Sequence, residues 1–331
     1  MRGPDADVQS RALLPDLVSL QDISAAARRV APVARVTPLV DVSAQAGRPL
    51  WLKCESLQPG GAFKIRGAYN MMAQLTDEER RRGVITYSSG NHGQAMALAA
   101  RELGAPAVVV MPKTAPQIKI DGARAFGAEV IFEGTTSVER RIRAEREAAA
   151  RQLTMVPPFD HPWIIAGQGT AGLEILDQCP DVGAVLVPIG GGGLIAGVAA
   201  AIKLTRPQVK IIGVEPEGAA AMKASVEAGH PVTLDKTETI ADGLMPVRPG
   251  DLTFAHVQRF VDGIVTVTDL QIIDAVLWLF SNAKIVAEPS GAAAVAAGLI
   301  AKPRLPAPVV AIVSGGNMGM ERLEELRKLA R

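Results

Sequence analysis

Ala184-Val-Leu-Val-Pro-Ile-Gly-Gly-Gly-Gly-Leu-Ile-Ala-Gly-Val-Ala-Ala-Ala-Ile-Lys203 is the stretch on which the fold turns. Its opening residues, through Ile189, are apolar and largely aliphatic, as a strand buried on both faces requires. From Leu194 onward the run is Ala-rich and suits a helix. Between them Gly190, Gly191, Gly192 and Gly193 let the backbone approach a ligand closely and turn several N–H groups inward, while the helix start adds partial positive charge. A phosphate cradle is preferred to a structural turn, which would rarely need four glycines in succession. No Gly-Lys-Ser/Thr follows, so a Walker A loop is excluded. Gly191, Gly193 and Ala196 also fit a GxGxxA dinucleotide pattern, with Glu215 ending the next strand about 20 residues later, where a ribose-binding acid would sit. A nicotinamide-dependent oxidoreductase is therefore a rival here, although such a fingerprint usually opens a domain and this one lies past the middle of the chain. Val182 to Ile202 is uncharged over a membrane-spanning length, but Pro188 and the glycines break it, at about 3 and about 1 kcal/mol each in a helix interior.

The same strand-turn-helix unit recurs outward in both directions. VITYSS (84–89) precedes GNHGQAMALAARELG, AVVVM (107–111) precedes a helical pattern through Ile118 to Phe126, and EVIF (129–132) follows. Beyond the glycines come KIIGVE (210–215) and VVAIVSGG (309–316), the latter before the closing helix MERLEELRKLA. The count predicts roughly eight or more strands, mostly parallel because helices separate them. Composition agrees: 331 residues suggest two domains, and 48% apolar with only 4% aromatic residues suits Val/Ile strands and Ala helices better than a β-sandwich. Lys and Arg number 35 against 34 Asp and Glu, leaving a formal charge of +1, so neither nucleic acid nor an acidic membrane is an expected partner.

Cys54 and Cys179 form no CxxC pair and are expected as buried free thiols in a reducing cytoplasm. The first 18 residues carry Asp5, Asp7 and Asp16 and form no signal-type apolar core, so a short leader is expected. Thr135 to Arg151 reads as a solvated charged helix. Pro157-Pro158 with Asp160-His161-Pro162 reads as a crossing between domains, and Gly243 to Gly250 as a long loop of the size that often serves function.

Three further segments carry candidate chemistry. Leu57 to Tyr69 (LQPGGAFKIRGAY) places Lys64 in a Gly/Ala-rich apolar setting beside Phe63, where desolvation would raise the free-amine fraction that imine chemistry needs. Taken alone, a surface lysine at a helix start accounts for it better. Ser88-Ser-Gly-Asn-His-Gly-Gln94 ends a strand and opens a helix, offering hydroxyls, an amide, an imidazole and helix N–H groups to a carboxylate-sized anion. A capped turn explains it equally well. Ser314-Gly-Gly-Asn317 repeats that geometry at the last strand, while His161, His230 and His256 have no metal-ligand spacing.

Together ESLQPGGAFKIRGA, SSGNHGQA, IAGQGTAGLEIL, VPIGGGGLIAG, IADG, AEPSGAA and SGGN, in this order from about Asp22 to Met320, resemble the fold-type II pyridoxal-phosphate enzymes of the threonine/serine dehydratase and serine racemase family. The resemblance implies an α/β, tryptophan synthase beta-like fold of two three-layer αβα domains with mostly parallel sheets. It implies a large cofactor domain of residues 1–73 and 161–331 enclosing a small domain of 74–160. It implies pyridoxal 5'-phosphate as cofactor, Lys64 as Schiff-base lysine and Cα base, Phe63 beside the ring, Asn91 on the phenolic oxygen, Gly190 to Gly193 on the phosphate and Ser314 at the pyridine nitrogen. Ser88, Ser89, Asn91 and His92 are implied for the substrate carboxylate, Ser89 as a proton carrier on the opposite face, and Gly243 and Glu288 near the cofactor; for Glu288 a structural cap before Pro289 explains the residue nearly as well.

The implied reaction is β-elimination of water from L-threonine or L-serine, giving a 2-oxo acid and ammonia, in a cytoplasmic homodimer. Alternatives are an amino-acid racemase, a dehydratase of another β-hydroxy amino acid such as hydroxyaspartate or phenylserine, and, from other classes, the oxidoreductase or a non-catalytic binder of phosphate ligands. Two departures bear on this. Ala62 stands where the family often has Ser. Glu215-Pro-Glu-Gly-Ala-Ala-Ala221 keeps the Glu of the family's cation site and lacks its Asp, so no metal site is expected. Only a short helix follows Ser314, so no regulatory domain is expected.

Overall fold

The computed structural model describes residues 16–88, 90–115, 117–300 and 304–330. Among them lie ten strands: β1 Leu39–Asp41, β2 Leu50–Lys53, β3 Val84–Tyr87, β4 Ala107–Met111, β5 Glu129–Phe132, β6 Thr154–Met155, β7 Ala184–Pro188, β8 Lys210–Pro216, β9 Gly263–Val267 and β10 Val309–Ile312. They form a six-stranded sheet in the order β1-β2-β10-β7-β8-β9 and a four-stranded sheet in the order β5-β4-β3-β6. β1 pairs antiparallel with β2, and the remaining pairings among these strands are parallel. Every residue of β4, β7 and β10 is buried, which is why these strands read as unbroken apolar runs rather than as alternation.

The helix Gly193–Thr205 is buried from Gly193 through Ile202, and Pro289–Ile300 from Pro289 through Gly298. Both are covered on all sides, and their alanines and glycines allow the close approach this needs. The expected leader falls largely outside the described residues. The segments read as a crossing and as a long loop hold no strand or long helix, apart from one turn of 3₁₀ helix at Asp242–Leu244. Cys54 and Cys179 are free and buried, and burial pushes their thiols up to about 12 and about 11. No helix among the described residues is long and apolar enough to cross a membrane.

The chain starts in the larger sheet, leaves it through the helix Lys64–Met72, builds the smaller sheet, and returns through the helix Pro162–Gln178. These two helices lie almost backbone to backbone. A Cβ on Gly167 would sit 2.5 Å from the Arg66 carbonyl oxygen, so glycine there serves a helix crossing and not a ligand. Beside the crossing, the buried Arg66 guanidinium donates to Glu55 Oε2 at 2.7 Å, Glu174 Oε1 at 2.6 Å and Thr170 Oγ1 at 3.0 Å. The fully buried Glu55 is thereby neutralised, and the helix that begins at Lys64 is locked to the larger sheet's layer.

Candidate active site

Lys64 is the first residue of its helix, and its position is fixed from the end of β10. Ala62 forms an antiparallel bridge with Gly315, and the Phe63 amide donates to the Ser314 carbonyl at 3.1 Å. Lys64 and Ser314, far apart in sequence, are thus neighbours through backbone pairing alone. The Lys64 side chain is half-buried, its Nζ 5.1 Å from the Phe63 ring centroid and 2.8 Å from the Pro158 carbonyl oxygen, to which it donates. Burial, with no carboxylate to oppose it, pulls the ammonium down to about 8. The surface-lysine reading is set aside: this amine holds a larger neutral fraction than an exposed lysine would.

The glycine loop lies between β7 and the helix starting at Gly193. Gly192 has φ of +95°, a left-handed conformation that side chains disfavour. A Cβ on Gly191 would fall 2.3 Å from the Phe159 ring, and one on Gly190 would fall 2.9 Å from the Gly243 carbonyl oxygen. Protein packing therefore accounts for part of the demand for glycine, a contribution that the ligand argument alone does not contain. The Gly243 amide donates to Ser290 Oγ at 2.8 Å, and Ser314 Oγ donates to the Ser290 carbonyl at 3.4 Å. Gly190, Gly243 and Ser314 are thereby brought together.

The turn after β3 lies on the smaller sheet. Ser88 Oγ accepts the Gly90 amide at 3.2 Å, while Ser89 lies outside the described residues. Asn91 opens the helix Asn91–Leu103; its Nδ2 donates to Glu288 Oε1 and its Oδ1 accepts from Asn317 Nδ2 at 2.9 Å. The buried His92 ring places Nε2 3.2 Å from the Val156 carbonyl oxygen and leaves Nδ1 without a partner. Burial first, and the nearby Lys64 charge second, hold His92 down at about 3, so it is neutral.

Two residues that sequence reasoning did not single out complete this side. Lys119, buried on the helix Gln117–Ala125, pairs with Asp242 and lies 3.5 Å from Glu288 Oε2. Burial works against its charge, but Glu288 and Asp242 outweigh it and hold the ammonium above its ordinary value. Burial raises the Glu288 carboxyl against the pull of Lys119, and Glu288 Oε2 has no hydrogen-bond partner. Asp242 could have been found, since it belongs to IADG. Lys119 stands in QIKID, where nothing local distinguishes it from a surface lysine.

A phosphorylated aldehyde cofactor suits these residues. A desolvated amine, a loop of N–H groups at a helix start, and a buried polar atom without a hydrogen-bond partner, His92 Nδ1, are what such a polar group would satisfy. Glu215, by contrast, is committed. Its two oxygens accept the Met222 and Lys223 amides at 2.9 and 2.8 Å, starting the helix Ala221–Ala228. Burial pushes it up to about 7 despite those donors. It offers nothing to a ribose, so the dinucleotide reading fails at this residue. No group of three or more potential metal-ligating side chains occurs among the described residues.

Residues 30–315 match the family model described as pyridoxal-phosphate dependent enzyme. The chain is 44% identical over 313 residues to the L-threonine ammonia-lyase of Thermotoga maritima, covering 94% of this chain and 78% of that one. It is 46% identical over 266 residues to the biosynthetic L-threonine dehydratase of Escherichia coli, covering 80% of this chain and 52% of that protein. It thus spans about half the length of such biosynthetic relatives. The solved structure of maize serine racemase superposes with a TM-score of 0.89 at 37% identity, over 95% of this chain and 98% of that one. The family model covers most of the chain, and a relative 44% identical is matched over 94% of it; on that ground the protein belongs to the family of pyridoxal-phosphate-dependent enzymes.

Proposed function

We propose that this chain is an ammonia-lyase that converts L-threonine, L-serine or both to 2-oxobutanoate or pyruvate and ammonia. The observation that carries the reading is the Lys64 amine, lowered to about 8 by burial and bonded to a backbone carbonyl. Bound at Lys64, pyridoxal phosphate supplies an electron sink for the pair left at Cα when its proton departs. The remaining roles belong to the protein. Once the substrate's amine has replaced Lys64 on the cofactor, the freed Lys64 Nζ would accept the Cα proton, and its neutral amine is the form able to do so. Gly190 to Gly193 hold the phosphate through backbone N–H groups at the helix start. Asn91 would hold the cofactor's phenolic oxygen, and Ser88, Ser89, Asn91 and His92 at the start of its helix would hold the substrate carboxylate. Phe63, Gly243 and Glu288 border the ring. Ser314 Oγ would hold the pyridine nitrogen, and a neutral hydroxyl there would leave that nitrogen unprotonated, giving a weaker electron sink.

The same reading assigns residues 74–160 to a small domain inserted in a large one of 1–73 and 161–331, in a cytoplasmic homodimer; the buried free thiols fit a reducing compartment. The likeness to maize serine racemase keeps racemisation as the second reading, with Ser89 as the proton carrier on the opposite face. One experiment separates them: incubate the enzyme with each L-amino acid and follow 2-oxo acid and D-isomer together. We expect mainly 2-oxo acid. D-isomer forming faster would make the protein a racemase, and neither product would leave a non-catalytic binder.

A further inference from the structure

Pro158, Phe159 and Asp160 lie in the return crossing and touch three parts of the site in succession. Pro158 presents its carbonyl to Lys64, and the Phe159 ring packs where a Gly191 side chain would be. Asp160 reaches the helix Asp251–Phe260. Its Oδ2 accepts the Asp251 amide at 3.0 Å, and its Oδ1 accepts those of Leu252 and Thr253 at 3.0 and 3.1 Å. Three amides at a helix start, which have no partners within the helix, thus close on one carboxylate.

What that helix presents in turn is Thr253. Its fully buried hydroxyl donates to the Gly191 carbonyl oxygen at 2.7 Å, a carbonyl that the Gly250 amide also approaches at 3.4 Å. In a trans peptide the C=O of one residue and the N–H of the next point in opposite directions. Holding the Gly191 carbonyl toward Thr253 therefore aims the Gly192 N–H the other way, away from the helix Asp251–Phe260. Glycine at Gly191 and Gly192 has little intrinsic preference for any orientation, so the direction has to be imposed from outside.

We propose that Asp160 and Thr253 are positioning residues for the glycine loop: Asp160 seats the helix, and Thr253 fixes the Gly191–Gly192 peptide so that its N–H faces the cofactor phosphate. The inference rests on the reading of Gly190 to Gly193 as the phosphate loop, and the test separates the two. Apoenzyme is prepared from the wild type, Thr253→Val, Thr253→Ser and Asp160→Asn. Each is titrated with pyridoxal 5'-phosphate and with pyridoxal, which lacks the phosphate, following the absorbance of the lysine imine.

Thr253→Val keeps the shape and deletes the donor, so it is expected to weaken pyridoxal phosphate binding about tenfold while leaving pyridoxal unchanged. Thr253→Ser is expected to restore the wild-type preference, and Asp160→Asn to fall between. Equal losses for both ligands, or an unaltered preference in Thr253→Val, would overturn the proposal. If Thr253→Val does not fold, Asp160→Asn decides by the same ratio. A wild type that binds both ligands equally would remove the phosphate reading itself, and this inference with it.

Discussion

Lys64 concentrates the chemistry at the smallest scale. Its ammonium is held near 8 instead of the ordinary 10.5 because a half-buried, carboxylate-free setting disfavours charge more than one carbonyl hydrogen bond favours it. The neutral fraction is the nucleophile, and it grows as pH rises through the lowered value. The rate at which apoenzyme captures pyridoxal phosphate should therefore climb with pH and level off a little above 8. A stopped-flow profile still rising steeply above 10 would show an ordinary lysine. Lys64→Ala should abolish turnover and the borohydride-reducible chromophore together while leaving the circular dichroism spectrum and melting behaviour close to wild type. Retained turnover in that variant would sink the assignment of this residue.

Behind that residue, the helix Lys64–Met72 owes its position to a buried ion pair as much as to apolar packing. Arg66 is held by Glu55 and Glu174, and Glu55 is fully buried. Breaking a buried pair from one side leaves the other charge uncompensated, which typically costs about 3–5 kcal/mol, more than the pair itself contributes over an apolar substitute. Arg66→Leu should lose stability of that order in urea denaturation. Arg66→Lys should recover only part of it, because an ammonium cannot present the planar fork that reaches both carboxylates. A loss below about 1 kcal/mol for Arg66→Leu, the level of an exposed pair, would contradict the arrangement.

Across the whole molecule, Lys119 links the two sheets' sides: it comes from the smaller sheet's side and reaches Asp242 and Glu288 on the other. Asp242 is 38% exposed, so water screens part of this attraction, whereas Lys119 and Glu288 are buried. Since Lys119 also abuts the Gly90 turn, its loss should loosen the cleft's grip on substrate more than it slows the chemistry. Lys119→Met should raise KM for L-threonine about tenfold, equivalent to ~1.4 kcal/mol, with a smaller effect on kcat. Lys119→Arg should retain most of the affinity. Equal KM in wild type and Lys119→Met, measured at low salt, would show that the contact does not bear on binding.

By itself the sequence determined whatever depends on neighbours along the chain. Buried parallel strands need unbroken apolar runs, so β3, β4, β7 and β8 were legible within a residue or two, and the start of β10 with them. A glycine run between strand and helix marks a ligand loop, and the Gly/Ala setting of Lys64 marks a candidate amine. The ordered motifs also pointed to Lys64, Asn91, Gly190 to Gly193, Gly243, Glu288 and Ser314, among which the structure shows Asn91 beside Glu288 and Gly243 beside Gly190. Only the tertiary structure decided how these groups are held. Lys64 meets a carbonyl 94 residues away, Lys119 meets Asp242 across 123, Asn91 meets Glu288 across 197, and Thr253 meets Gly191 across 62. No local period encodes such pairs, because the side chains concerned are ordinary until packing removes water from around them. Burial then makes a common lysine a weaker base, with a larger neutral fraction than an exposed one, and turns Glu215 from a possible ribose or cation ligand into the start of a helix.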